Sequence, residues 1–385
     1  MKKVLFTLYK NHTHSLYKQF INNPPVGYWY FTLDDFLDEF IFNKSSNLLS
    51  EIIAKIKRNQ KIIKIAKKNN IDIIYSCDGI LLFNSPIPWV LEFEHTTSLI
   101  SHFFGFWKIA KYLLPQILKQ KNLKYLIPWT KAGADSLGIN LNLSKSVLTK
   151  IIPIHLCLNQ IDSFNNIERK RISHEKFSII FVTSVNYNSE NEFYSKGGRI
   201  VVKVFEKLKK DKNIKLILRS KLPTEFDYLK NNPQVEIYED TLTHDKFQKI
   251  FLKADILFFP GYQSPGMAFL DAMSYNLPII TTDVLANKEM VKSGINGYLV
   301  PFPKSSKVNY LFNKYGIKNV PTGYMSRNDL LDEKMISSFV KKVIRLKEDK
   351  NLLIKMGKNS KDILIKGFSL EKRNRELKSI FNNLS

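Results

Sequence analysis

The 385-residue chain is poor in cysteine, in glycine and in acid, and it has no long apolar run. Only Cys77 and Cys157 are present, so a disulfide framework and a cysteine-rich zinc site are both excluded, and a reducing compartment fits. Its 15 glycines fall below the usual share of about 7%, which makes each glycine cluster informative. Nowhere are there the roughly 18 uninterrupted apolar residues that a membrane span needs. Met1-Lys2-Lys3 followed by Val4-Leu5-Phe6 begins like a signal peptide, but Lys10 and Asn11 end the apolar stretch too early. The reading is a soluble protein, at most seated on a membrane surface.

Acid is outnumbered: 59 Lys and Arg face 35 Asp and Glu, a net charge of +24. Residues 1–165 carry 20 basic and 11 acidic groups, and the remainder 39 and 24. Because the excess is spread over both halves, a dedicated nucleic-acid face is disfavoured. Part of it reflects a Lys-, Ile- and Asn-rich composition, and part fits attraction to nucleotide phosphates or an acidic lipid surface. Hydrophobic residues make up 44%, enough for two packed cores at this length.

Short apolar runs alternate with helical periodicity almost from end to end, the pattern of an α/β protein with parallel strands. In the first half, Val4–Leu8, Ile71–Tyr75, Trp89–Phe93, Leu123–Ile127 and Lys150–Ile154 read as strands, and Thr130–Leu137 as a short helix. A helix over residues 47–68 is apolar on one side and carries Lys55, Lys57, Arg58, Lys61, Lys64, Lys67 and Lys68 on the other. The polar stretch Gln160–Lys176 is the expected linker. Strands are then expected at Phe177–Val182, Ile214–Leu218, Val235–Tyr238, Asp255–Phe259 and Pro278–Thr281. Helices are expected at Gly198–Lys210, Lys246–Lys253, Gly266–Tyr275 and Leu285–Ser293, a long loop over residues 301–328, and helices to the end.

Two segments have the form of phosphate sites. Ser195-Lys196-Gly197-Gly198 leads from a strand and polar loop into a helix, whose first N–H groups lack internal partners. Pro260-Gly261-Tyr262-Gln263-Ser264-Pro265-Gly266 makes the same strand-to-helix passage, with Ser264 suited to cap and Pro265 to the first turn. Past it, Asp271 is a carboxylate among apolar neighbours, able to accept two hydrogen bonds from a sugar diol. Read without further context, each segment is equally a capped helix, and Asp271 a solvated side chain.

The run from Ala254 to Val300 nevertheless resembles the nucleotide-sugar-binding half of glycosyltransferase family 4, retaining enzymes of the GT-B fold. Asp271-Ala272-Met273, Pro278, Glu289, Gly294 and Gly297 fall on the family pattern, and Lys196-Gly197 on its diphosphate-binding pair. Met356-Gly357-Lys358-Asn359 through Phe368-Ser369 to Ile380-Phe381 resembles its closing helices, so the resemblance covers roughly residues 177–385. In the first half, Pro128-Trp129-Thr130-Lys131-Ala132 resembles a family strand-to-helix segment, and Trp89–His95 a strand ending in an active-site histidine. The departures are Gln263 and Asp271 in place of two glutamates, Thr183-Ser184 in place of Gly-Arg, and Asn276 in place of a turn glycine. Asn276 tolerates a left-handed backbone, and Arg199 or Arg219 is a candidate for the missing cation.

The resemblance implies two Rossmann-like domains facing each other across a cleft: an acceptor-side domain over 1–165, a nucleotide-sugar domain over 166–350, and helices over 351–385 crossing back. It implies transfer of a sugar from a nucleoside-diphosphate sugar to a glycan or lipid-linked acceptor, with retention and without a metal or other cofactor. The pathway expected is cell-surface polysaccharide or lipopolysaccharide synthesis. His95 and Lys196 are the expected catalytic groups; Ser184, Lys196, Gly197, Gly198, Arg219, Gln263, Ser264, Gly266, Met267 and Asp271 the donor-binding ones. Glu92 and Glu94 are weighed as carboxylate nucleophiles, but the resemblance favours front-face attack. Asn11-His12-Thr13-His14 is either an acceptor loop or a polar turn. The Lys-rich helix, with the aromatic stretch Phe103-Phe104-Gly105-Phe106-Trp107, suggests peripheral contact with an anionic surface on the cytoplasmic side of the membrane. A nucleotide-sugar epimerase, or a non-catalytic basic binding module on the same fold, are the alternatives.

Overall fold

A computed structural model describes residues 1–10, 15–37, 48–100, 107–158, 175–185, 189–261, 266–302 and 331–384. The chain divides into two units, one of Met1–Asn159 with Phe368–Ser385, the other of Gln160–Gly367. Of the expected linker, residues 160–174 lie outside the described part. At the C-terminus the division is later than the sequence reading has it. The helix Lys350–Gly367 stays with the second unit, and only the segment from Phe368 onward joins the first.

In the first unit, β1 (Lys2–Phe6), β2 (Tyr28–Phe31), β3 (Ile73–Ser76), β4 (Trp89–Phe93) and β5 (Leu123–Pro128) form a parallel sheet ordered β2-β1-β3-β4-β5. On one face α2 (Leu48–Lys68) and α3 (Trp107–Leu118) bury Ile62, Ala66, Ala110 and Leu114 against Leu5, Ile74 and Leu91. On the other lies α1 (Ser15–Ile21), whose Phe20 packs on Phe6, and the last helix, Leu370–Asn382, whose Phe381 meets Tyr75 edge-on. Burying a ring of that size stabilises by about 1.5–3 kcal/mol.

The expected strand Lys150–Ile154 is reduced to a single bridge, Ile151 to Leu126. The segment does run beside β5: Leu126 N–H donates to the Lys150 carbonyl, and Ile152 and Ile154 donate to those of Leu126 and Pro128. Pro128 has no N–H to return the next bond, which ends the ladder. The edge strand Tyr28–Phe31 went unforeseen, being a four-residue aromatic run with Trp29 half exposed.

The second unit contains β6 (Phe177–Val182), β7 (Ile214–Arg219), β8 (Val235–Tyr238), β9 (Ile256–Phe259), β10 (Ile279–Thr282) and β11 (Gly297–Val300). All pairings are parallel, in the order β11-β10-β9-β6-β7-β8. Counted within the unit this is 3-2-1-4-5-6, the doubly wound order whose direction reverses between β6 and β9. The expected helix Leu285–Ser293 shrinks to one turn, Asn287–Met290, because Leu285 adopts a left-handed φ of 48°. Asn276 takes its left-handed turn at φ 55°, as its side chain permits. The loop over residues 303–328 and Asn11-His12-Thr13-His14 lie outside the described residues.

Candidate functional site

In an open α/β sheet, ligands bind beyond the C-terminal ends of the strands where the strand order reverses. Here that point is flanked by the segments after β6 and β9, which hold both sequence motifs. They meet backbone to backbone. A Cβ on Gly197 would stand 2.7 Å from the Pro260 carbonyl carbon, and one on Gly261 2.6 Å from Lys196 Cα. Gly197 sits at φ 86° and starts the helix Gly198–Leu208, so it is constrained by conformation and by space together. The two segments, independent in the sequence, make one structure.

Hydrogen bonds fix that structure from below. Asn287 Nδ2 donates to Thr281 Oγ1 at 2.9 Å and to the Thr282 carbonyl at 3.1 Å. The Thr282 hydroxyl donates to the Gly261 carbonyl, and that of Thr281 to Phe259 at 2.7 Å. Buried Thr281, Thr282 and Asn287 therefore hold the loop after β9 on which Gly197 rests. Sequence reasoning passed over them; a Thr-Thr pair ending a strand, with Asn shortly after, was the available signal.

Lys196 is half-buried and its ammonium pairs with Glu192 at 2.8 Å, so the expected cation is partly neutralised one helical turn away. Arg219 ends β7, and its guanidinium donates to the Thr183 carbonyl and lies over the Phe247 ring; burial lowers its pKa. Arg199 instead forms an ion pair with Glu225 at 2.9 Å, which leaves Arg219 as the arginine at the strand ends. Thr183 is buried and shares a hydrogen bond with Ser220 at 2.7 Å, a tie between strand ends; Ser184 beside it is half-buried.

The helix Gly266–Ser274 buries Phe269, Leu270 and Met273 and leaves Gly266, Met267 and Asp271 partly open. Gly266 has φ 51°, with nothing near where a Cβ would be. Desolvation pushes the Asp271 carboxyl up to about 7. Among the described residues no donor meets that carboxylate. Gln263 and Ser264 lie outside the described residues. The structure thus brings Lys196 and Gly197 against Pro260 and Gly261, and Gly266, Met267 and Asp271 follow on the next helix.

The first unit's candidates are placed otherwise. His95, just past β4, is fully enclosed, with its N–H donating to Ser98 Oγ and its carbonyl accepting from Ser98 N–H. Glu92 is buried in an ion pair with Arg373 of the last helix, whose guanidinium also donates to Tyr75 Oη and the His155 carbonyl. A carboxylate held so is no nucleophile, which corrects its candidacy.

Residues 177–308 match the family model described as Glycosyl transferases group 1. No curated protein sequence matches the chain significantly. Among solved structures, HepE of Anabaena in complex with UDP-glucose shares 13% identity at a TM-score of 0.64, with all of both chains covered. Sucrose-phosphate synthase from Thermosynechococcus elongatus shares 11% identity at a TM-score of 0.67, covering 100% of this chain and 99% of that one. The TarM structure of S. aureus in complex with fondaparinux, α-GlcNAc-glycerol and UDP has 13% identity and a TM-score of 0.55, covering 84% of this chain and 59% of that one. The chain has the α/β fold of these proteins, with two doubly wound parallel sheets as the GT-B expectation requires.

Proposed function

We propose that the chain is a metal-independent, retaining hexosyltransferase that moves a sugar from a nucleoside-diphosphate sugar to a glycan or lipid-linked acceptor in cell-surface polysaccharide synthesis. The observation that carries this reading is the backbone contact of Gly197 with Pro260 and Gly261, which sets two phosphate-type loops side by side at the reversal of strand order. The family match over residues 177–308 and the sugar-nucleotide complexes of the structural relatives support it.

On this reading negative charge grows on the leaving phosphate as the sugar departs, and groups already aimed there supply the largest part of catalysis. Lys196 exchanges its Glu192 partner for the diphosphate, and the N–H groups around Gly197, Gly198 and Gly266 add fixed donors. Arg219 contributes charge from the end of β7, and Ser184 and Met267 border the donor. Asp271 accepts the nucleotide's sugar hydroxyls; ionised and hydrogen-bonded it is more stable than in its desolvated state, so binding near neutral pH releases a proton. Gln263 and Ser264 complete the donor loop by sequence. His95 is the proposed acceptor-side group.

A panel of sugar nucleotides with and without acceptor tests the reading. Transfer that persists in EDTA, with the anomeric configuration kept, is expected. Release of an altered sugar nucleotide without acceptor would make the chain an epimerase, and no turnover at all a binding module. His95→Ala should lower transfer while leaving nucleotide affinity unchanged.

A further inference from the structure

Among the described residues the helical layer over the first sheet lacks a member. In doubly wound units a helix ordinarily joins neighbouring parallel strands. Between β3 and β4 the chain crosses instead through the irregular residues 77–88. That crossover lies between α2 and α3 and is thinner than a helix, and a cavity of about 920 Å³ opens above it. This volume lies within the roughly 300–1,000 Å³ of small-molecule sites. Its lining is mostly apolar, with Ile63 from α2, Leu81 and Phe83 from the crossover, and Leu113 and Ile117 from α3.

The rim is of a different kind. Lys55, Arg58, Lys64 and Lys67 also line the cavity, together with Asn59, Gln60 and Asn84. The two framing helices together carry nine Lys and Arg residues against a single acid, Glu51. That is a local concentration beyond the chain's general basicity. The outer surface of α3 adds Ile109, 53% exposed, and Tyr112, 81% exposed. A polar small molecule would leave the apolar part of the lining unfilled, and an apolar protein segment would not call for the cations. An apolar slot under a cationic rim, beside exposed apolar side chains, fits a hydrocarbon chain with an anionic head.

We propose that this cavity is a lipid site: α2 and α3 seat on an anionic bilayer, and one acyl chain of an anionic phospholipid enters between them. Lys64 and Lys67 take the headgroup, and the crossover forms the floor under the chain. The site belongs to the first unit alone and does not depend on the donor reading.

The test is sedimentation of the full chain with vesicles, in the absence of any sugar nucleotide. Binding is expected to phosphatidylcholine vesicles containing phosphatidylglycerol and not to phosphatidylcholine alone, and to weaken with salt. Lys64→Glu with Lys67→Glu should lower it at least tenfold. Leu113→Trp, which fills the cavity and leaves every cation in place, should also lower it at least tenfold. If thermal unfolding shows that this variant is not folded, Ile117→Phe serves the same purpose. Wild-type binding by a folded, cavity-filled variant would overturn the site, because charge alone would then hold the surface. Equal binding to neutral vesicles, or none to anionic ones, would overturn it too. So would a dimer without vesicles that is lost in Leu113→Trp, since a second copy would then be the occupant.

Discussion

Asp271→Asn separates what the site costs the fold from what it gives the ligand. Folding raises the Asp271 carboxyl from an ordinary 3.8 to about 7 through desolvation. The folded protein therefore holds a proton that the unfolded chain has already released, and stability falls as pH rises from about 4 to 7 and then levels off. A shift of that size corresponds to at most about 4 kcal/mol above neutrality, and partial exposure brings it to about 2–4 kcal/mol. Asparagine has no charge to desolvate. The variant should gain about 2 kcal/mol over wild type between pH 5 and pH 8, read from urea unfolding of the second unit. Nucleoside diphosphate affinity should meanwhile fall at least tenfold at pH 8, as a charge-assisted acceptor is replaced by a neutral one. Wild-type calorimetry at pH 7 should show proton release on binding, as an enthalpy that depends on the buffer. An unchanged pH profile of stability in the variant would refute the desolvated carboxylate.

Other substitutions test other joints. Gly261→Ala drives a Cβ to 2.6 Å from Lys196 Cα and should cost about 1–3 kcal/mol together with most nucleotide affinity. Gly266→Ala meets open space and should cost only its left-handed backbone, about 1–2 kcal/mol; comparison of the two by thermal unfolding separates crowding from strain. Glu192→Gln frees the Lys196 ammonium and should tighten diphosphate binding several-fold, lost again in Lys196→Ala, as calorimetry would show. Arg373→Met leaves Glu92 buried without its cation and should destabilise the first unit by about 3–5 kcal/mol, much of it recovered when Glu92→Met is added.

Both sheets were legible in the sequence because parallel strands buried on two faces read as short apolar runs. Phe177–Val182, Val235–Tyr238 and Trp89–Phe93 were placed to the residue. Two of the four edge strands escaped: Tyr28–Phe31 is a four-residue aromatic run with Trp29 half exposed, and Gly297–Val300 is four residues long and opens on glycine. The donor motifs were visible as glycines before helices, but their mutual contact was not, since 64 residues separate Gly197 from Gly261. Only the strand order brings them together. Partners were hidden likewise: Lys196 read as a free cation because the segment before it read as a polar loop, whereas the helix Ser189–Ser195 sets Glu192 one turn away from it. Glu92 read as a candidate nucleophile because Arg373 lies 281 residues away in the chain.

Titration calorimetry with UDP, GDP, ADP, CDP and dTDP, on wild type and on Gly261→Ala, addresses the paired loops most directly. One or more of these nucleotides should bind the wild type, and the same nucleotide should lose at least tenfold in affinity on the variant. Heats no larger than dilution for all five on the wild type, or equal affinity on both proteins, would contradict a diphosphate grip built where Gly197 meets Gly261.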